Sequence, residues 1–200
     1  MKTYTITRVS GAPDWSTIPA LQVEEQPWPP KSDIRMIQQI CYDETGLHIH
    51  QRAWETQIRA ENTDPLSQVC EDSCMEFFLA LIPGDERYFN IEFNLNGCVY
   101  LGFCHARNGG VRLVPSNIKA LFHVQTNRLE DGWEIFYTIP LSFLQQFYPG
   151  YTLEPGRVFH ANCYKCGDKT IQPHYLLWNP STSERPDYHR PQDFGRMELA

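Results

Sequence analysis

Short stretches in which apolar and polar residues alternate recur along the whole chain, and they restrict its fold more than any other feature. Alternation with a period of two is typical of a β-strand that buries one face. Turn residues separate the stretches, as at Asn96-Gly97 and Asp131-Gly132. The strands predicted in this way are 35–43, 46–58, 74–82, 88–96, 98–105, 121–129, 133–139 and 157–166.

Helices have little room in this chain. Its 15 prolines are spread from Pro13 to Pro191, and proline lacks the N–H that a helix interior needs. One short helix is predicted at 140–147, since Pro140 suits its start and Pro149 its end. Many short strands with tight turns predict an all-β fold, an antiparallel β-sandwich of the jelly-roll or immunoglobulin type.

The chain is predicted to form one domain over residues 1–200, because 200 residues suit a single core and no repeat or long linker divides them. Residues 1–33 supply an N-terminal strand and an extended arm. The net charge of -7 disfavours nucleic acid as a partner. No apolar run approaches the roughly 20 residues of a membrane span, so no membrane partner is predicted. The sequence carries no signal of the oligomeric state.

Seven cysteines, an odd number, occur without an apolar signal-peptide segment at the N-terminus. This combination predicts reduced thiols and a cytoplasmic location. Cys70 and Cys74 with Cys163 and Cys166 have spacings that zinc ligands can have. Alternation within 157–166, however, puts Cys163 and Cys166 on opposite faces. We therefore favour buried thiols and predict no metal site.

The hairpin formed by 74–82 and 88–96 combines one apolar and one polar face. Its apolar positions are Met75, Phe77, Leu79, Leu81, Phe89, Ile91, Phe93 and Leu95. The other face carries Glu76 and Glu92, and a register symmetric about the turn puts them opposite or diagonal to each other. Like charges in such positions are destabilising. A cation, a shared proton or a hydrogen-bonded ligand would relieve that cost.

Two further strands present polar and aromatic side chains on one face. In 157–166 these include Asn162 and Tyr164, and in 46–58 they include Trp54 beside two histidines. Flat rings together with carboxylate or amide groups are what a sugar site needs, because rings pack on C–H faces and polar groups bind hydroxyls. The alternative interpretation is a solvated sheet face.

The C-terminal segment is the most distinctive part of the sequence. It reads Tyr-Leu-Leu-Trp-Asn-Pro over 175–180 and Arg-Pro-Asp-Tyr-His-Arg-Pro-Gln-Asp-Phe-Gly over 185–195. This order resembles the end of the family 9-like carbohydrate-binding module domains, which are associated with glycoside hydrolases. Further stretches agree in the same order, namely 43–47, 72–78, 88–97, 133–141 and 162–168. The resemblance covers about residues 34–199.

That resemblance implies a β-sandwich that binds sugar chain ends between two aromatic rings, with an oligosaccharide or sugar as the partner. Tyr188 matches the second ring. Glu76 matches the acidic strand position, Asn162 and Tyr164 match the polar strand, and Asn90 lies near a hydroxyl-binding position. Some members carry structural calcium, and the resemblance implies no other cofactor.

The loop that supplies the first ring in the family departs from the pattern here. Residues 67–71 read Ser-Gln-Val-Cys-Glu, without an aromatic side chain. Either a single aromatic platform or a substitute such as Trp54 must serve instead, and Glu92 and His189 complete the predicted ligand-binding set. We predict carbohydrate binding through a concave sheet face with an aromatic platform.

Two other functions remain open at the level of sequence. Glu76 and Glu92 can serve as the acid/base pair of a glycoside hydrolase, or of an accessory domain of one. We favour a non-catalytic binding domain and assign no catalytic residue. A pure interaction scaffold is the third alternative, and it is favoured if another chain or the N-terminal arm covers the polar face.

Overall fold

Thirteen strands and two short helices make up the computed structural model, which describes all 200 residues. The strands are β1 (Thr3–Arg8), β2 (Ala20–Val23), β3 (Arg35–Tyr42), β4 (Gly46–Trp54), β5 (Cys74–Ala80), β6 (Tyr88–Asn94), β7 (Val99–Ala106), β8 (Gly109–Arg112), β9 (Gln125–Leu129), β10 (Gly132–Pro140), β11 (Val158–Cys166), β12 (Tyr175–Leu177) and β13 (Gly195–Leu199). The helices are α1 (Ile118–Leu121) and α2 (Leu141–Phe147).

The strands form two sheets that pack face to face, so the predicted β-sandwich is confirmed. Sheet I has the order β8-β7-β6-β5-β11-β13-β1, and sheet II has the order β1-β3-β4-β10-β9. β2 extends sheet II beside β3, and β12 pairs with β11 in sheet I. β1 belongs to both sheets, since Thr3–Ile6 pair with β13 and Thr7–Arg8 with β3. Both pairings of β1 are parallel, unlike the other strand pairs.

The inner faces of the two sheets form the main core. All eight apolar positions predicted for the β5–β6 hairpin pack in or against this core, which also contains Trp133 and Tyr137 of β10. Cys163 lies in it as well, whereas Cys166 of the same strand lies in a second apolar cluster outside sheet I. The opposite orientation of these two thiols is therefore confirmed.

The local predictions differ from the structure in a few short segments. The predicted helix at 140–147 corresponds to α2, but the predicted strand at 121–129 begins only at Gln125. The residues before it form α1, because the side chain of Asn117 accepts a hydrogen bond from Ala120 N and starts a helical turn. Strands β2, β8 and β12 were not predicted. They have only three or four residues each, which is too few to show an alternation of apolar and polar residues. Neither helix is long and apolar enough to cross a membrane.

The predicted N-terminal arm lies along the C-terminal segment. Glu25 forms a β-bridge with Leu177 of β12. The indole N–H of Trp28 donates to the carbonyl oxygen of Ser183 at 2.8 Å, and this tryptophan is buried. The arm therefore holds the C-terminal loop against sheet I.

A charged residue occupies the inner face of β11. Alternation continues the buried series Phe159, Ala161 and Cys163 to Lys165, whose side chain is completely buried. Its ammonium contacts Glu55 Oε1 at 2.8 Å and donates to His174 Nε2 at 2.8 Å and to the Cys166 carbonyl oxygen at 3.1 Å. All three N–H groups of the ammonium therefore have acceptors.

Glu55 connects this ammonium to both sheets. It follows β4 of sheet II and accepts a hydrogen bond from Trp133 Nε1 of β10 at 2.7 Å. Its second oxygen accepts from Ser73 Oγ, just before β5 of sheet I, at 3.0 Å. Burial raises the pKa of Glu55, but the Lys165 ammonium and these hydrogen bonds outweigh it and hold the pKa below its ordinary value. The carboxylate is therefore ionised at neutral pH.

Removing the Lys165 ammonium alone should lower the free energy of unfolding much more than removing both charges. Lys165→Met leaves the Glu55 carboxylate buried without a cation, which typically costs about 3–5 kcal/mol. The double variant Glu55→Gln/Lys165→Met keeps an oxygen acceptor for Trp133 and removes the unpaired charge. We expect urea unfolding at pH 7 to show the double variant to be more stable than Lys165→Met. Equal or greater loss in the double variant would contradict this account.

Candidate functional site

Three neighbouring strands of sheet I, β6, β5 and β11, form the surface on which the predicted site residues lie. Glu76 of β5 pairs directly with Glu92 of β6 on one side and with Tyr164 of β11 on the other. The predicted opposition of the two carboxyl groups is therefore confirmed. Both lie on the face that points away from the sandwich core, because their neighbours in sequence, such as Phe77 and Ile91, are core residues.

The C-terminal segment covers much of this outer face. Tyr188 stacks on Tyr164 with ring centroids 4.0 Å apart and ring planes 10° apart, and its hydroxyl donates to the Lys165 carbonyl oxygen at 3.2 Å. Trp28 of the arm packs beside Tyr188, with 6.0 Å between ring centroids. The face is less open than alternation predicts, because a period of two separates the faces of a strand but cannot show which one a distant loop covers.

A cleft of about 270 Å³ remains open between this segment and the sheet. We call it the acidic cleft. Its lining residues are Cys70, Glu76, Glu92, Arg107, Cys166, Asp168, Tyr175, Pro186, Asp187, Tyr188 and His189. The fold thus brings four of the predicted site residues together: Glu76, Glu92, Tyr188 and His189.

The pKa values of the two opposed carboxyl groups are raised. Glu76 is 2% exposed and Glu92 6%. Burial and the neighbouring Glu92 carboxylate raise the pKa of Glu76 well above its ordinary value. Burial raises the pKa of Glu92 to about 7. The pair therefore takes up protons at a higher pH than two exposed carboxylates would.

The remaining polar groups of the cleft line its wall and rim. Arg107 donates to Asp187 Oδ1 at 2.7 Å, which positions a guanidinium at the entrance. Burial raises the pKa of Asp168. Burial and the nearby Arg107 lower the pKa of His189 to about 4, so this imidazole is neutral. Its Nδ1 lies 2.9 Å from the Tyr88 hydroxyl.

Three of the predicted site residues lie outside the lining of the acidic cleft. Asn162 is buried, and its amide is hydrogen-bonded to both the N–H and the carbonyl oxygen of Asn179. Tyr164 lies beneath Tyr188 and donates to its carbonyl oxygen at 3.1 Å. Asn90 lies on the face of Glu92, yet neither atom of its buried amide has a hydrogen-bond partner within the protein. None of the three lines the cleft.

Trp54 lies away from the acidic cleft. It ends β4 in sheet II, where the guanidinium groups of Arg35 and Arg52 lie 5.2 and 4.7 Å from its ring centroid. The outer faces of the two sheets point in opposite directions. Alternation gives the parity of Trp54 within its strand but not the sheet that contains the strand, so the sequence could not separate it from the other candidates.

A family model described as carbohydrate-binding family 9 matches residues 9–199. The chain belongs to carbohydrate-binding family 9. The resemblance read from the sequence motifs is thereby confirmed, and family membership supports carbohydrate binding as the general function. No curated protein sequence matches the chain significantly.

Solved structures share the fold of this family 9 chain over its whole length. A crystal structure of a candidate carbohydrate-binding protein from Bacteroides uniformis is 26% identical, with a TM-score of 0.84, over 100% of this chain and 99% of that one. A family 9 module from Caldicellulosiruptor kristjanssonii is 12% identical, with TM-scores of 0.71 in complex with glucose and 0.70 with cellotriose. These two matches cover 100% and 99% of this chain and 96% and 93% of the module.

The one cluster of metal-ligating side chains in this chain does not fit the calcium that some family 9 members carry. Calcium is bound by about six to eight oxygen atoms. Cys74, Glu76 and Cys166 form the one group of three side chains whose ligand atoms come within 4.8 Å of one another. Two of these donors are thiols, which do not fit calcium.

Several residues of the acidic cleft were not predicted. Arg107 follows the end of β7, Tyr175 begins the short β12, and Asp168 follows β11. Their positions depend on the turns that bring these strand ends together. Asp168 and Asp187 lie within the family motifs, so the motifs could have been used to predict them. Arg107 has no comparable signal.

Glu92→Gln should change the pH dependence of stability in a defined direction. The folded pKa of about 7 lies above the value of 4.5 for the free group, so the unfolded chain loses this proton first as pH rises. The wild type therefore loses stability through Glu92 between about pH 4.5 and pH 7, and the variant lacks this contribution. At pH 8 the variant should be more stable by roughly 1–3 kcal/mol, since one pKa unit is worth about 1.4 kcal/mol.

Urea unfolding at pH 4 and pH 8 measures this difference, in buffer with EDTA because a cation would also relieve the repulsion. Glu86→Gln is the matched control, because Glu86 is an exposed carboxylate on the turn of the same hairpin. A Glu92→Gln variant that gains no stability relative to wild type between the two pH values would refute the assignment.

Proposed function

We propose that this protein binds carbohydrate in the acidic cleft, with a sugar unit held between the carboxyl pair and the C-terminal loop. The observation that carries the proposal is the meeting of Glu76, Glu92, Tyr188 and His189 around one open cavity in a chain of carbohydrate-binding family 9. The sequence alone predicts these four residues, and they come from three separate segments of the fold.

The polar groups of the cleft suit sugar hydroxyls. A hydroxyl both donates and accepts, so it can donate to an ionised carboxylate while it accepts from a guanidinium. Glu92 and Asp168 supply acceptors, the raised pKa of Glu76 favours a carboxyl group that can donate, and Arg107 supplies N–H groups at the entrance. Hydrogen bonds to charged groups are the stronger ones, so these groups fix the orientation of the ligand.

The apolar surface and the volume of the cleft limit the ligand to a small unit. Tyr175, Pro186 and Tyr188 add apolar atoms to the lining, although Tyr164 already covers one face of the Tyr188 ring. Pockets for drug-sized ligands have about 300–1,000 Å³, whereas this cleft has about 270 Å³. One sugar ring, free or at the end of a chain, suits this space. The glucose and cellotriose complexes of the related module make gluco-oligosaccharides the first ligands to test.

Isothermal titration with glucose, cellotriose and xylotriose, in buffer with EDTA at pH 7, tests the proposal. We expect saturable binding by the wild type and an affinity about ten-fold lower or more in Arg107→Met. A hydrogen bond to a charged group is worth about 1.5–3 kcal/mol. Glu92→Gln should also weaken binding.

Arg87→Met is the matched control. Arg87 pairs with Asp85 as Arg107 pairs with Asp187, and the two arginine side chains are 52% and 53% exposed, but Arg87 lies outside the cleft. Absence of binding by the wild type to every sugar would overturn the proposal. Equal affinities of Arg107→Met and Arg87→Met would overturn the assignment of the site.

Hydrolysis is a second candidate, because two opposed carboxyl groups with raised pKa values can act as acid and base. Turnover of an aryl glycoside that Glu76→Gln abolishes would support an enzyme. Sugar binding without turnover of any aryl glycoside would favour a binding domain.

A further inference from the structure

Two thiols and a carboxyl group meet below the acidic cleft. Cys74 of β5 pairs directly with Cys166 of β11, and Glu76 lies two residues further along β5 on the same face. Cys166 Sγ donates to Glu76 Oε1 at 2.9 Å. The two sulfur atoms and a carboxylate oxygen all lie within 4.8 Å of one another, and all three residues are buried.

The surroundings of this group favour a cation. Glu92 and Asp168 line the same cleft as Glu76, so three carboxyl groups lie close together. Arg107 is the one arginine or lysine of the lining, and it pairs with Asp187 instead. The Lys165 ammonium belongs to the opposite face of β11, where it contacts Glu55. A divalent cation would therefore supply positive charge to three carboxyl groups that form no ion pair within the protein.

The donor set identifies the kind of cation. Thiolates select soft or borderline metals, and zinc combines cysteine sulfur with carboxylate oxygen in four-coordinate sites. Tetrahedral zinc with Zn–S bonds of about 2.3 Å places two sulfur atoms about 3.8 Å apart. The observed separations of up to 4.8 Å require only small side-chain adjustments.

We propose that Cys74, Glu76 and Cys166 form a zinc site in the floor of the acidic cleft, with the fourth coordination position on the side of the cleft. Glu76 and Cys166 line the cleft, whereas Cys74 lies behind them, so a water molecule or a ligand in the cleft can complete the coordination. Binding displaces the thiol protons of both cysteines, so zinc affinity rises with pH.

This site differs from the four-cysteine zinc site that the spacing along the chain allows. That alternative used Cys70 and Cys163 in addition to Cys74 and Cys166. Cys163 points into the sandwich core, and Cys70 is not among the residues whose ligand atoms lie within 4.8 Å of one another. Glu76 completes the set, because it lies on the same face as Cys74 and Cys166. The register between β5 and β11 brings the three ligands together. The spacing of these residues along the chain does not show that they meet.

The experiment adds zinc to reduced, EDTA-stripped protein, removes the excess by dialysis and measures bound metal. We expect one zinc per chain in the wild type. Loss of a residue that only hydrogen-bonds to a metal ligand typically lowers metal affinity by about 10–100-fold. Cys74→Ser and Cys166→Ser each remove a ligand itself, so each should lower the zinc affinity by more than this. Cobalt should give thiolate-to-metal charge-transfer absorption in the wild type and not in these variants.

Cys104→Ser is the matched control, because Cys104 is a buried thiol on the same side of sheet I, outside the three-residue group. A second measurement uses only the wild type, so it does not depend on whether the variants fold. In this protein, zinc should slow alkylation of Cys74 and Cys166 but not of Cys104. Wild-type protein that retains no zinc overturns the proposal, as does equal loss in Cys104→Ser or alkylation rates that zinc leaves unchanged. Sugar titration in EDTA, which does not involve the metal, tests the proposed function separately.

Discussion

The buried ion pair between Lys165 and Glu55 is the interaction on which the arrangement of the site depends. It joins β11 of sheet I to the end of β4 in sheet II, and Trp133 and Ser73 add hydrogen bonds from both sheets. Burial and the Lys165 ammonium lower the pKa of His174 to about 3, so its neutral ring accepts from the ammonium. An ammonium in an apolar core is tolerated only with full hydrogen bonding. This requirement fixes the orientation of β11 about its axis.

The fixed orientation of β11 determines what its other face can do. The neighbours of Lys165 in sequence are Tyr164 and Cys166, and both must point away from the core when Lys165 points into it. Tyr164 then supports the ring of Tyr188, and Cys166 meets Glu76 across the sheet. A structural pair inside the sandwich therefore positions the floor of the acidic cleft outside it. The repulsion between Glu76 and Glu92, which burial strengthens, makes this floor receptive to a proton, a sugar hydroxyl or a cation.

Local patterns predicted most of the strands, because each strand records its own buried face in its sequence. They also predicted the opposition of Glu76 and Glu92, because a tight turn fixes the register of a hairpin. They did not place Trp54, whose strand lies in sheet II, or the three unpredicted strands of three or four residues. They did not show that Tyr188 stacks on Tyr164, since these rings are 24 residues apart and meet only when the C-terminal loop folds over sheet I.

The sequence by itself determined the all-β class, the inner and outer positions of each long strand and, through its motifs, the carbohydrate-binding family. These properties follow from periods of two and from residue order, and both can be read locally. Only the tertiary structure decided which outward-facing residues share one cleft. Sheet order, the path of the C-terminal loop and the pairing of β5 with β11 depend on contacts between distant segments. Those contacts join Glu76, Cys74 and Cys166, pair the Asn162 amide with the backbone of Asn179, and leave Trp54 on the opposite side of the sandwich.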